Sequence, residues 1–236
     1  MLQNYVVLLM LAILPSVANA QWKEIYKEDF DDIAVSTETG TNALSQWEKG
    51  SALGVVFDGK SKEAGRFLIP RHAWNSFNQG PIFNLDLAAY PHDKVKVSFD
   101  LYTFGDWRGF QRNTGGPHHR LMFFDSKATP AFSFDTSYAT NPAYKQGWPG
   151  RNSQVNPART GGVPIKLDMT GRFQHAFKWP VEFEYPSDSS SLRFTILCGA
   201  AAGSGKPMPV FGVDNVRVSL RSTAPTIVVD NDGWRC

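Results

Sequence analysis

The sequence predicts an all-β fold, an antiparallel β-sandwich of jelly-roll type, and three observations predict it. Apolar residues recur with a period of two in several separate segments, as they do in strands with one buried face. Pro and Gly punctuate the gaps between those segments. Long helical periodicity is absent, and short strands separated by turn signals belong to sandwiches and jelly rolls.

The elements follow in chain order. On the first strand Tyr26, Glu28 and Phe30 share a face. In KVKVSFDLYTF, Val95, Val97, Phe99 and Leu101 form an apolar face, and Lys96, Ser98, Asp100 and Tyr102 form the other. RLMFFDS and AFSFDTS read as shorter strands joined by 127–130. Asn141–Gly162 is a long loop, and loops of this length are often functional or mobile. In FQHAFKWPVEFEY, Phe173, Phe177, Trp179, Val181, Phe183 and Tyr185 make one stripe. Pro180 inside it marks an edge or a bulge. SLRFTIL sets Leu192, Phe194 and Ile196 together. In FGVDNVRVSL, Val216, Val218 and Leu220 alternate with Asn215, Arg217 and Ser219, which puts Asp214 on the core face. A carboxylate there needs a partner, because an unpaired buried charge is costly.

Residues 1–20, MLQNYVVLLMLAILPSVANA, have the apolar run and Ala18-Asn19-Ala20 ending of a secretory leader, although Lys and Arg are missing ahead of the run. The run is too short to span a bilayer. Export to a periplasmic or extracellular space is expected, with the mature chain starting at Gln21. Pro and Gly are spread evenly and mark no linker, so 21–236 reads as one sandwich domain. Residues 221–236 form a last strand (Thr226–Val229) or an arm over it. The formal net charge of +2 argues against a nucleic-acid or anionic-membrane partner. Cys198 and Cys236 are the two cysteines. In an oxidising compartment they can bridge and pin the tail to a strand, the alternative being two thiols.

Three segments together carry a family resemblance: EDFDD (Glu28–Asp32) followed by LSQWEKG, then HDKVKVSFDLYTFGDW (His92–Trp107), then Val213-Asp214-Asn215-Val216. This order resembles secreted bacterial jelly-roll domains of the galactose-binding-like and carbohydrate-binding-module type, over most of residues 24–220. The resemblance implies glycan binding and a structural Ca²⁺ near the strand ends, held by acids of the first strand and the Asp of the last. Glu28 and Asp214 lead as ligands, with Asp29 weaker. The residues agree in part, because two in-facing carboxylates repel and a hard cation with oxygen ligands resolves that. The alternative is that Asp214 caps a turn or pairs with an Arg.

Candidate ligand contacts lie opposite the apolar face of Val95–Leu101. Asp100 and Tyr102 share that side, and the chain then runs into Gly105-Asp106-Trp107-Arg108-Gly109. An aromatic between Asp and Arg suits sugar recognition, with the ring stacking and the charged groups bonding hydroxyls. Tyr144 and Trp148 offer a second platform. Against this stand a core-edge role for Trp107 and a loop packed by its own side chains for Tyr144 and Trp148.

Catalytic motifs are missing. Glu182 and Glu184 sit two apart on one strand face, which is better read as a solvated face than as a glycosidase acid pair. His118-His119 reads as a solvated turn, because adjacent strand residues point to opposite faces. GAAAGSGKP departs from the phosphate-loop spacing. The reading is a secreted, non-catalytic glycan-binding module stabilised by calcium. The alternatives are a sandwich-fold glycosidase or lyase, and a structural or adhesive matrix protein.

Overall fold

A computed structural model of the chain describes residues 21–32, 46–47, 55–58, 65–69, 82–109, 120–125, 127–128, 131–150, 155–166, 176–199 and 210–222. Thirteen strands and no helix occur among them: β1 (Trp22–Glu28), β2 (Val55–Asp58), β3 (Arg66–Ile69), β4 (Ile82–Asp86), β5 (Lys94–Phe104), β6 (Arg120–Asp125), β7 (Phe132–Ser137), β8 (Lys145–Gln146), β9 (Asn156–Pro157), β10 (Val163–Pro164), β11 (Ala176–Pro186), β12 (Ser191–Gly199) and β13 (Val210–Arg221). All pairings are antiparallel. A seven-stranded sheet runs β10-β11-β5-β13-β3-β2, with β1 also paired to β13. A four-stranded sheet runs β4-β12-β6-β7, and β8-β9 form a small ribbon. The fold is the all-β antiparallel sandwich that the alternation predicts.

One apolar cluster joins the two sheets. Val95, Val97, Phe99 and Leu101 of β5, Phe83 of β4, Phe123 of β6 and Phe194 of β12 are all buried in it. Phe123 meets Phe183 at 4.3 Å between ring centroids, and Phe132 stacks on Tyr185 at 4.1 Å. The period-two stripes of β5, β11 and β12 are thus the inner faces of the sandwich. Pro180 pairs with Asp100 of β5, while β10 covers β11 only at Phe177 and Lys178. On its far side Pro180 faces no described strand, which a residue without an N–H tolerates.

The outer face of the seven-stranded sheet is mostly charged. Lys94 lies 3.6 Å from Glu184 and Lys96 lies 3.5 Å from Glu182, so the two glutamates solvate a strand face as expected. At one end this face carries a second apolar cluster of Phe67, Tyr102, Phe104 and Ile165.

Asp214 lies on this outer face, which corrects the alternation-based placement. Asp214 opposes Asp100 and Arg217 opposes Ser98. Three steps along β13 therefore match two along β5, which is a β-bulge. The extra residue is absorbed at Asn215, in the left-handed region at φ 51°, a conformation Asn tolerates better than most residues. Val213 and Val216 both stay in the core, and Asp214 turns outward. Phe173, the His118-His119 pair, 200–209 and the tail beyond 222 lie outside the described residues. So does the Cys198–Cys236 pairing, since Cys198 is described only through its backbone in β12.

Candidate functional site

The expected contact residues fall into two groups. Asp106, Arg108 and Tyr144 come together on loops at one end of the sandwich, and Asp100 and Tyr102 lie on the outer face of the large sheet.

The loop group begins where β5 ends. Gly105 (φ 93°) and Gly109 (φ 63°) bracket Asp106-Trp107-Arg108. Between them the chain alternates, with Asp106 and Arg108 half-buried and Trp107 fully buried. Trp107 Nε1 donates to the Phe104 carbonyl at 3.2 Å, and its ring meets Tyr138 edge-on at 6.5 Å. Trp107 is a core-edge tryptophan, and a stacking platform in solvent is not its place. Trp148 is likewise buried, 5.6 Å from Tyr138. Both rings form the floor beneath the loops.

The Asp106 loop is stitched to the segment after β7. Thr140 Oγ1 donates to the Gly105 carbonyl (2.7 Å) and accepts from the Trp107 amide (2.9 Å). Arg108 bridges Ala139, and the Gly109 amide donates to the Tyr138 carbonyl (2.8 Å). On this base Asp106 accepts from Arg108 Nε (3.0 Å) through one oxygen and from Asn141 Nδ2 (3.1 Å) through the other. The Arg108 guanidinium lies over the Tyr144 ring at 5.8 Å, a cation–π arrangement. Asn141, Asp106, Arg108 and Tyr144 thus form a continuous polar and aromatic surface.

Three residues that the sequence reading passed over hold this surface. Asn141 closes an Asx turn on the Ala143 amide at 3.0 Å. Gln146 is buried and makes four hydrogen bonds. Its Oε1 accepts from the amides of Ala139 (3.1 Å) and Arg159 (3.0 Å), and its Nε2 donates to the carbonyls of Trp148 (3.0 Å) and Thr160 (2.8 Å). Arg159, at φ 67°, donates from Nε to the Thr140 carbonyl at 2.6 Å. The described parts of the 141–162 loop are therefore a bonded scaffold. The Asn-Pro dipeptide at 141–142 hints at the turn, whereas nothing in the local sequence marks Gln146 as buried.

On the outer face, Asn215 Nδ2 donates to Asp100 (2.9 Å) and to Asp214 (3.2 Å). The Asn215 amide donates to Asp214 at 2.6 Å, and the Tyr102 hydroxyl donates to it at 3.3 Å. Lys178 reaches Asp100 at 3.5 Å. Tyr102 is buried, so it supports Asp214 and presents no ring to solvent. Burial, with smaller contributions from Asp100 and Asp31, pushes the Asp214 carboxyl up to about 7, against the opposing pull of the Asn215 amide. The folded value lies above the ordinary 3.8, so the fold binds this proton more tightly than the unfolded chain. Its contribution to stability is complete below the unfolded value and is lost as pH rises through about 7. Melting is expected to weaken between about pH 4 and 7 and to level off above, and Asp214→Asn to flatten that slope and gain about 2 kcal/mol at pH 8. Equal slopes in both proteins would remove Asp214 as the cause.

The expected calcium ligands do not share a site. By register Glu28 opposes Val216 and takes the core side of the sheet, whereas Asp214 opposes Asp100 on the outer side. Glu28 accepts from the Phe30 amide at 2.8 Å, and Asp29 pairs with Lys27 at 2.7 Å. Burial raises the Glu28 carboxyl, and the like charges acting on it are Asp29 and Asp32. Among the described residues no group of three or more His, Cys, Asp or Glu could hold a metal ion. The donor set named for calcium does not fit one ion, and nothing below is routed through it.

No protein-family model and no curated protein matches the chain. Among solved structures it is similar to the CBM22-1 and GH10 modules of endo-1,4-β-D-xylanase 10B from Clostridium thermocellum, complexed with xylohexaose. The identity is 10%, the TM-score 0.39, and the match covers 90% of this chain and 30% of that one. It is also similar to TmCBM27, a carbohydrate-binding module with specific mannan recognition, at 15% identity and TM-score 0.37, covering 86% of this chain and 100% of that one. The chain thus spans about a third of the xylanase modules' length. At these identities the similarities bear on neither ligand nor residue roles.

Proposed function

We propose that the protein is a non-catalytic glycan-binding β-sandwich that acts after export, and that its contact surface is the Asp106–Arg108–Asn141–Tyr144 cluster. The observation that carries this reading is the cluster itself. A half-buried aromatic, a guanidinium, a carboxylate and an amide are held together on loops fixed to the sandwich by hydrogen bonds. Sugars are recognised by such a mixture, apolar ring face against aromatic and hydroxyls against planar polar groups. Preorganisation favours binding because little loop entropy remains to be lost.

The test is affinity electrophoresis through gels that each hold one polysaccharide. The native chain is expected to be retarded in at least one gel, and Tyr144→Ala and Asp106→Ala to run freely there while melting within a few degrees of the native protein. Unchanged retardation in both variants would move the site elsewhere. Release of reducing ends or unsaturated products from the bound polysaccharide would replace this reading with the enzyme alternative. An effect of EDTA on the melt would reopen the question of calcium.

A further inference from the structure

We infer that the ligand of this loop surface is an anionic polysaccharide, one whose sugars carry carboxylate or sulfate groups; the inference rests on the glycan-binding reading above. Charge segregation carries it. The whole chain holds 24 Lys and Arg against 22 Asp and Glu. The two described stretches that build the site, 105–109 and 136–166 without 151–154, hold Arg108, Lys145, Arg159 and Lys166 against one acid, Asp106. Such an imbalance across two separate stretches of a nearly neutral chain sets the sign of the local field.

The fold brings three of these cations to one place. Arg108 is bridged to Ala139. The Arg159 amide donates to the Ala139 carbonyl at 2.9 Å, and its guanidinium lies 5.2 Å from the centre of the Phe177 ring. Lys145 is exposed, and its carbonyl packs against Gly109, where an added Cβ would come within 1.8 Å. All three are thus rooted on the few residues around Ala139 and Thr140. Asp106, the carboxylate between Gly105 and Trp107, offsets one charge through Arg108. Three cations against one acid leave a net positive balance on the loops that carry Tyr144. A neutral glycan makes no use of that field, whereas a chain with one anion per sugar or two gains from it along its length. Arginine suits carboxylate and sulfate because its planar donors match two oxygens at once.

The test uses the full chain in affinity gels containing alginate or polygalacturonate (carboxylate), a sulfated galactan (sulfate), or xylan and glucomannan (neutral), each at low and high salt. Retardation by a carboxylate or sulfate gel, relieved by salt, is expected, and the two gels tell the anions apart. Arg108→Gln and Lys145→Gln should each weaken it, Arg108→Gln by about tenfold. Should Arg108→Gln fail to fold, the exposed Lys145→Gln still decides. Binding to neutral glycans alone, indifferent to salt, would overturn the inference and leave glycan binding standing. Retardation in no gel would overturn both. Equal binding to duplex DNA would also overturn it, because the surface would then be a general polyanion site.

Discussion

Gln146→Ala is expected to lower stability by about 4 kcal/mol or more. The side chain is buried and its four hydrogen bonds serve four different backbone groups: the amides of Ala139 and Arg159 and the carbonyls of Trp148 and Thr160. Truncation leaves the Ala139 amide and the Trp148 and Thr160 carbonyls without this partner, while the Arg159 amide keeps its bond to the Ala139 carbonyl, and each such orphan costs about 1–3 kcal/mol. A cavity adds to the loss. Gln146→Met separates the two contributions, because it fills the space and restores no bond. If hydrogen bonding dominates, both variants melt equally early. A Met variant close to the native melt would assign the residue to packing. The same substitution should impair ligand binding, since the loop carrying Tyr144 and Asn141 is anchored through this side chain.

Gly109→Ala is expected to be comparably severe, at about 3 kcal/mol or more. Its φ of 63° is left-handed, and an added Cβ would sit 1.8 Å from the Lys145 carbonyl oxygen and 3.4 Å from the Ala139 Cβ. The backbone strain alone costs about 1–2 kcal/mol, and the clash with a main-chain oxygen is relieved only by parting the two loops. Gly161→Ala is the comparison. Its φ is 77°, but its Cβ would meet the Trp148 side chain at 2.9 Å, and a side chain can give way more easily than a backbone. Thermal melts of the two variants should rank Gly109→Ala as the worse. The opposite order would mean that the β8 segment is free to move away from the Asp106 loop.

Strands that obey a single period were legible from the sequence. β5, β11 and β12 need no more than the alternation of Val95 to Leu101, Phe177 to Tyr185 and Leu192 to Ile196, because each is buried on one face along its length. Asp214 was misplaced for the same reason: alternation assumes an unbroken strand, and the bulge at Asn215 changes its phase. The Asp-Asn pair admits that conformation but does not demand it. Trp107 and Trp148 show a different difficulty. Aromatics on loops suit both sugar stacking and core packing, and the choice depends on Tyr138 and Trp179, distant in sequence and adjacent in space. Asp106, Arg108 and Tyr144 lie together on loops, because polar loop residues beside an aromatic stay near the surface. Gln146 was missed because its burial is decided by four backbone groups spread over residues 139–160.

The bulge at Asn215 divides the last strand into two reading frames. Phe211 and Val213 are in phase with the part of β13 that meets β3, and Val216, Val218 and Leu220 with the part that meets β1. Straightening the strand with Asn215 in place would force either Phe211 and Val213 toward solvent or Val216 and Val218 out of the core, whereas deleting Asn215 would bring all of them into one phase. The apparent irregularity is what allows one continuous strand to serve two neighbours in sequence, and the carboxylate of Asp214 marks the seam.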